Sequence, residues 1–165
     1  MSRERSETQS VVPKKRLKGA AAWPSFVIAH DAIVWRIEER LKAEGLPEMS
    51  WYVVLWTLQS VPEKRLRMNE LAERSVLPRS NVTRLVDRME RAGLVERERC
   101  GRDRRGWYAR ILPAGEAMKS KMWDVYGPAV RELFTSQMNS EESAVLRDVM
   151  DRLYANATKD GGLFS

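Results

Sequence analysis

The segment from Arg79 to Leu112 constrains the fold more than any other part of the chain. Its first apolar residues recur at intervals of three and four positions, which predicts a helix with one buried face. They are Val82, Leu85, Val86 and Met89. Gly93 then ends the helical pattern, and two short stretches of alternating character follow, Leu94–Arg99 and Trp107–Leu112. The segment therefore predicts a helix followed directly by a β-hairpin, or wing.

A second, shorter helix is predicted just before this one, at Met68–Ser75, with a tight turn at 76–78 between them. The outward face of the longer helix is polar and basic, and such side chains can bond base edges and phosphates. Its members are Ser80, Arg84, Asp87 and Arg91, flanked by Asn81, Thr83 and Arg88. Helix, turn and helix is an arrangement used to read DNA, although an ordinary solvated helix would carry a similar face.

The loop between the two predicted strands is rich in arginine. It holds Arg102, Arg104 and Arg105 together with Asp103. Guanidinium groups at the tip of a wing are placed to enter a minor groove, where the potential is most negative. A carboxylate among them can hold a neighbouring guanidinium in one rotamer. The alternative is a plain solvated turn.

Positive charge is concentrated in two parts of the chain. The formal charge is +6 overall; residues 62–112 carry fourteen Lys/Arg against eight Asp/Glu, and residues 1–18 carry six against two. Such segregation favours a polyanionic partner, because neutralising phosphates releases counterions. A solvated basic surface is the alternative.

The remaining helices are predicted to be long and amphipathic. An apolar stripe runs from Trp23 to Leu41 and stops before Gly45, and Ser50 is expected to cap a helix at Trp51–Gln59. A long helix is predicted from Pro113 to about Met138, and a last one capped at Ser140. The expected fold is mainly α with a small β-wing: a winged helix-turn-helix lobe plus a helical dimerisation lobe.

A single chain of 165 residues offers little surface for the outer helices to pack on. Pairing with a second copy would bury them, and would present two recognition helices about one DNA turn apart, ~34 Å. We therefore expect a homodimer, with packing inside one chain as the alternative.

Several classes of function are excluded by composition. One cysteine and one histidine cannot build a zinc site of the usual kind or an internal disulfide, which fits a reducing cytoplasm. No apolar run approaches the ~20 residues of a membrane span, and the N-terminus lacks the apolar core of a secretory signal. No phosphate-binding glycine loop or nucleophile–base pair is found, so we expect neither a cofactor nor enzyme activity.

The ordered set of these segments resembles the MarR (multiple antibiotic resistance regulator) family over about residues 25–157. The resemblance is carried by Glu70-Leu71-Ala72, by the run from Ser80 to Arg97, by Asp103-Arg-Arg105 and by Leu112-Pro-Ala-Gly115. It implies a winged-helix homodimer that binds palindromic operators in double-stranded DNA and represses transcription. It also implies release from DNA when a small aromatic or phenolic ligand binds between the two lobes.

The resemblance assigns roles and boundaries to particular positions. The DNA-binding residues it implies are Arg79, Ser80, Asn81, Thr83, Arg84, Arg88, Arg102, Asp103, Arg104 and Arg105. A basic tail is expected at 1–22, one domain at 23–157 and a second tail at 158–165. Within the domain, the winged-helix lobe spans about 50–112, and the dimerisation helices about 23–45 and 114–157.

A ligand site is predicted from aromatic residues near the first two helices. Trp23 and His30 lie seven positions apart on one helical face, Trp51 begins the next helix, and Arg84 could act as a counter-ion. Such a set suits a planar, acidic organic molecule. Aromatic residues filling a dimer core are the alternative. The competing functions are a winged helix used for protein assembly or RNA binding, and a small-molecule enzyme.

Overall fold

The computed structural model describes residues 22–99 and 106–158. Within these ranges the chain forms helices, three short strands and one 3-10 turn. The elements are α1 Ala22–Ala43, α2 Met49–Gln59, β1 Arg65–Arg67, α3 Met68–Ser75, α4 Arg79–Arg91, β2 Val95–Arg99, β3 Trp107–Ile111, α5 Pro113–Leu133, the 3-10 turn Thr135–Gln137 and α6 Ser140–Ala157. This is the expected mainly α fold with a small β-wing.

The core lies where α2, α3, α4 and the sheet meet. Helix α2 is apolar on nearly all sides, and most of its residues are buried. The predicted stripe of α4 packs against it, and all four of its members are buried. Burying one full face of α4 fixes the opposite face toward solvent, because successive residues turn by about 100°.

The three strands form one antiparallel sheet in the order β1-β3-β2. Strands β2 and β3 pair as the predicted hairpin, from Val95↔Ile111 to Arg99↔Trp107. Strand β1 was not predicted, because its sequence Arg-Leu-Arg has one apolar residue. That residue, Leu66, pairs with Ala109, and both are buried in the core.

Two predicted helix ends are confirmed at glycine. Gly45 and Gly93 have φ angles of +66° and +70°, the left-handed conformation that ends a helix. The N–H of Leu46 donates to the carbonyl of Leu41 at 2.9 Å, and the N–H of Leu94 donates to that of Met89 at 3.0 Å. The turn between α3 and α4 uses Val76 at φ +56° instead, an uncommon conformation for a β-branched residue.

Three predicted helix boundaries were wrong. Ser50 lies inside α2 and does not cap it; the helix begins at Met49, whose N–H donates to the carboxylate of Glu38 at 2.9 Å. Helix α5 ends at Leu133 rather than near Met138. The last helix is capped by Asn139 rather than Ser140, because the Asn139 side chain accepts the N–H groups of Glu141 and Glu142.

The outer helices are only partly buried. In α1 the apolar stripe is buried at Ile37 and Leu41, but Trp23 at its other end is 67% exposed. Helix α6 has no buried residue, and Val145 and Leu153 on its apolar side are 66% and 56% exposed. Within the described residues, therefore, the start of α1 is exposed, and the apolar face of α6 is covered only in part, at Leu146, Val149 and Met150.

Helix α5 crosses the end of the hairpin at a point where only glycine fits. A Cβ atom built on Gly115 would lie 2.3 Å from the carbonyl oxygen of Leu94 and 2.8 Å from Cγ1 of Ile111. The first of these neighbours is backbone and cannot turn aside. Gly115 thus sets how closely α5 approaches the winged-helix part of the chain.

We expect Gly115→Ala to lower the free energy of unfolding by about 1–3 kcal/mol, because overpacking outweighs the better helix propensity of alanine. Chemical denaturation measures this loss. Ala117→Ser, at an exposed position about half a turn further along α5, is the control and should change stability by less than about 0.5 kcal/mol. Equal stability of the two variants would contradict the close approach.

Candidate nucleic-acid interface

The outward face of α4 is exposed as predicted. Ser80, Asn81, Thr83 and Arg84 are all exposed on it. The Thr83 hydroxyl donates to the carbonyl of Arg79 at 3.0 Å, which leaves its oxygen lone pairs toward solvent. Among the described residues, the side chains of Asn81 and Arg84 have no hydrogen-bond or ion-pair partner. This face therefore offers free polar groups to a ligand outside the chain.

The helix begins without a side-chain cap. Pro78 is the N-cap residue, and it has no side-chain oxygen to bond the first N–H groups of α4. Arg79 and Ser80 occupy the first two helical positions. Unbonded N–H groups and the helix dipole make such an end favourable for a negative group.

A second face of α4 is tied to the wing by Arg97 of β2. Its guanidinium forms a close ion pair with Asp87, reaches Glu90 at 3.3 Å and donates to the carbonyl of Thr83 at 3.2 Å. The backbone N–H of Arg97 also donates to Glu90 at 3.0 Å. These partners lie on successive turns, so Arg97 fixes the orientation of α4 relative to β2. The sequence prediction missed this role, because Arg97 and its partners resemble ordinary surface charges.

The predicted DNA contact Arg88 is engaged with the start of α2. Its guanidinium pairs with Glu48 at 2.7 Å and lies over the indole ring of Trp51, 5.3 Å from the ring centre. Arg88 thus differs from Asn81 and Arg84, which share its side of the helix.

The wing tip lies outside the described residues. This applies to Cys100 and to the predicted DNA-binding residues Arg102, Asp103, Arg104 and Arg105. The strands on either side are described, and they end at the facing pair Arg99 and Trp107, where the guanidinium lies 5.2 Å from the ring centre. The described ends of β2 and β3 are therefore paired side by side.

The outer face of the sheet carries a network of charges. Glu98 of β2 forms a close bond with Arg110 of β3 and lies 3.0 Å from Arg65 of β1, so it links all three strands. Hydrogen bonds from Arg110 first, and from Arg65 second, hold the pKa of the Glu98 carboxyl below its usual value of 4.5. Arg65 also stacks on Tyr108, 5.1 Å from the ring centre. This network braces the hairpin that displays the loop.

The four residues of the predicted ligand site are not all brought together within one chain. Trp23 and His30 lie along the exposed face of α1, with the ring of Phe26 about midway, 6.1 Å and 6.2 Å from theirs. Trp51 is buried under Arg88, and Arg84 lies on α4. In the part of the chain that the structure describes, no contact joins the α1 pair to the other two.

An aromatic cluster between α2 and α5 was not predicted. Tyr52 stacks on Trp123 at 6.0 Å and contacts Tyr126 at 4.7 Å between ring centres. Burial raises the pKa of both tyrosine hydroxyls. The sequence signal was present, since Trp123 and Tyr126 are three positions apart on α5, but it did not indicate which helix they would meet.

Residues 22–99 and 106–158 offer neither a metal site nor a membrane span. No group of three or more potential ligands lies close enough together there to hold a metal ion. None of the helices in these ranges has the length and apolar character needed to cross a membrane.

Helices α3 and α4, joined by a tight turn and followed by the β2–β3 hairpin, define a winged helix-turn-helix protein. Residues 44–106 match the sequence model of the MarR family. Over these residues, which include α2 to α4 and β2, the chain is similar to the MarR family of transcriptional regulators.

Solved structures of transcriptional regulators have a similar fold. Sco3205, a MarR family transcriptional regulator from Streptomyces coelicolor in complex with DNA, has a TM-score of 0.80 and 25% identity over 89% of this chain and 92% of its own. AbsC, a second such regulator from that organism, has a TM-score of 0.80 and 25% identity over 90% and 100%. The PcaV transcriptional regulator, also from that organism and in complex with its natural ligand, has a TM-score of 0.68 and 23% identity over 90% and 99%.

We expect the Glu98 network to make folding stability depend on pH. A carboxyl whose pKa is lowered by folding stabilises the native state above its unfolded pKa, and this contribution is lost as pH falls through the lowered value. Glu98→Gln should therefore be less stable than the unsubstituted protein near neutral pH, and the difference should shrink below about pH 4.5. Denaturant titrations at several pH values measure this.

Glu96→Gln is the matched control, since Glu96 makes only a 3.7 Å contact with Arg110 and its side chain is about half exposed. A gap between Glu98→Gln and the unsubstituted protein that stays constant as pH falls would contradict the assigned role of Glu98.

Proposed function

We propose that the protein is a cytoplasmic, dimeric, sequence-specific repressor that binds palindromic operators in double-stranded DNA and is released by a small aromatic ligand. One observation carries the DNA-binding part. The exposed polar face of α4, with free side chains at Asn81 and Arg84, lies beside the hairpin in a segment that matches the MarR family model. The net charge of +6 over residues 62–112 agrees with a polyanionic partner.

The proposal divides DNA recognition between helix and wing. Residues early in α4 read base edges and bind phosphates in the major groove, and they are Arg79, Ser80, Asn81, Thr83 and Arg84, with Arg88 joining from the third turn. The loop residues Arg102, Arg104 and Arg105 bind in the flanking minor groove, with Asp103 orienting an arginine, as the family resemblance implies. Sco3205 was solved in complex with DNA, which supports the same use of this fold.

The homodimer is supported by the apolar surface that a single chain leaves uncovered. Helix α6 is 18 residues long and has no buried residue, yet it carries a continuous apolar stripe. Its members are Val145, Leu146, Val149, Met150, Leu153 and Tyr154. Most of the stability of a helix in a protein comes from the packing of its apolar face, so α6 needs a second surface. A two-fold partner would supply that surface and the second recognition helix that a palindrome requires.

The ligand part rests on the aromatic side chains near α1 and α2. The buried indole N–H of Trp51 has no acceptor among the described residues, and an anionic or carbonyl oxygen of a ligand could accept it. Trp23 and His30 lie on the exposed stripe of α1, where a partner chain would enclose them. Arg84 is proposed as the counter-ion. PcaV was solved with its natural ligand, in a similar fold.

We expect substitutions in the helix and in the wing to have different effects on DNA binding. Asn81→Ala should change which half-site sequence is preferred, because an amide that bonds a base edge is lost. Arg105→Gln should weaken binding to every duplex and reduce the slope of log K against log salt by about 0.9, since one phosphate-neutralising charge is lost. Selection from a random duplex pool and salt titrations measure the two effects.

Lys121→Gln, which removes a charge from an exposed position on α5, is the control and should leave both preference and slope nearly unchanged. An equal loss from Asn81→Ala and Arg105→Gln, with the same preferred sequence, would contradict the division of roles.

We expect Val145→Glu to abolish dimerisation without unfolding the chain, because Val145 is exposed in the single chain but would be buried between two copies. Sedimentation velocity at micromolar concentration measures the association. Ala144→Glu adds the same charge at an exposed position that points away from the centre of the apolar stripe of α6, and this control should remain dimeric. An unsubstituted protein that is a monomer at these concentrations would overturn the dimer.

A further inference from the structure

Arg88 is the one basic residue of the outward face of α4 that the described structure holds by an ion pair to α2. It lies seven positions after Asn81 and four after Arg84, so the three side chains project from one side of the helix. Asn81 and Arg84 are free, whereas the Arg88 guanidinium is bonded to Glu48 at 2.7 Å and stacked on Trp51. One positive charge of the outward face of α4 is therefore already paired within the chain.

The carboxylate that pairs with Arg88 belongs to Glu48, which lies between α1 and α2. Glu48 is the residue just before α2, and the next residue, Met49, donates its N–H to the carboxylate of Glu38 on α1 at 2.9 Å. Helix α1 is in turn joined to α5 by the paired hydrogen bonds between Arg40 and Glu132, at 2.9 and 2.8 Å. The position of Glu48 thus depends on α1 and α5, while its carboxylate is bonded to Arg88 of α4.

We propose that Glu48 is a positioning residue that withholds Arg88 from DNA, and that Arg88 leaves Glu48 for a backbone phosphate when the protein binds its site. This inference rests on the proposed DNA-binding function and deepens it by naming a regulatory contact. A displacement of α1 that moves Glu48 away from α4 favours the DNA-binding state. A displacement that brings Glu48 closer favours release.

The contact is weak enough to be exchanged. The Arg88 and Glu48 side chains are 51% and 45% exposed, and exposed ion pairs of this kind contribute little because water and salt screen them. The stacking on Trp51 adds a similarly small amount at an exposed site. A DNA phosphate offers Arg88 a charge-assisted bond and releases a counterion. A phosphate can therefore replace Glu48 as the partner of Arg88, and a shift of α1 that moves Glu48 changes how readily it does so.

The test measures DNA affinity as a function of salt for four full-length proteins: unsubstituted, Glu48→Gln, Arg88→Gln and the double variant. We expect Glu48→Gln to bind the selected operator about two- to fivefold more tightly at low salt, as the freed guanidinium contributes fully. The slope of log K against log salt should stay nearly the same, because Arg88 binds a phosphate in both complexes. When Arg88 is already replaced by Gln, the Glu48 substitution should change the affinity by much less than it does in the unsubstituted protein.

Glu44→Gln is the matched control, because it removes one acidic charge from the same connecting segment at an exposed residue without a side-chain partner among those described. It reports the general effect of a lost negative charge. The proposal is supported if Glu48→Gln increases DNA affinity more than Glu44→Gln does, and if this increase disappears in the variant that also carries Arg88→Gln.

Two results would overturn it, and they are distinguishable. If the unsubstituted protein binds an operator but Glu48→Gln and Glu44→Gln behave alike, Arg88 is held for structural reasons only and this inference fails alone. If the unsubstituted protein binds no duplex at low salt, the proposed function fails and this inference fails with it.

Discussion

The burial of one face of α4 against α2 and the sheet is the constraint on which the rest of the site depends. Val82, Leu85, Val86 and Met89 are all removed from water, and burying such side chains contributes roughly 1.5–3 kcal/mol each as an upper estimate. With that face fixed, the polar residues of α4 have only one direction to point. The core of the molecule thereby decides which groups are offered to a partner.

Ion pairs and hydrogen bonds between the elements add to the orientation that core packing gives to α4. Arg97 joins α4 to β2, Glu98 joins the three strands, and Arg88 joins α4 to the beginning of α2. Each contact is partly exposed, so each contributes modestly to stability. Their importance lies in geometry, because they orient the reading helix, the hairpin and the outer helices relative to one another.

Helical periodicity made most of the fold predictable from sequence. The spacing of apolar residues located α3 and α4 closely, and the glycines at 45 and 93 marked true helix ends. Caps were less predictable, since Ser50 and Asn139 both have the right chemistry but only the folded chain shows which one meets free N–H groups. Strand β1 was missed because its pairing partner is more than forty residues away.

The sequence predicted which residues of α4 are exposed, but it did not predict the contacts that they make. The sequence indicated the outward face of α4, yet it gave no sign that Arg88 would be bound by Glu48 while Arg84 would stay free. Pairing of exposed charges depends on loop geometry over tens of residues, and periodicity carries no information about it. The predicted ligand residues lie on three different helices, and periodicity within one helix does not indicate how separate helices are placed.

The uncovered stripe of α6 has a consequence for how the folded state responds to the amount of protein present. With the proposed homodimer, part of the hydrophobic free energy of folding is gained only on association, so the midpoint of thermal unfolding becomes a function of chain concentration. Dilution of such a dimer would destabilise α1 and α6 before it destabilises the winged-helix lobe. Through the apolar stripe of α6, the folded fraction of such a dimer would depend on the concentration of the protein.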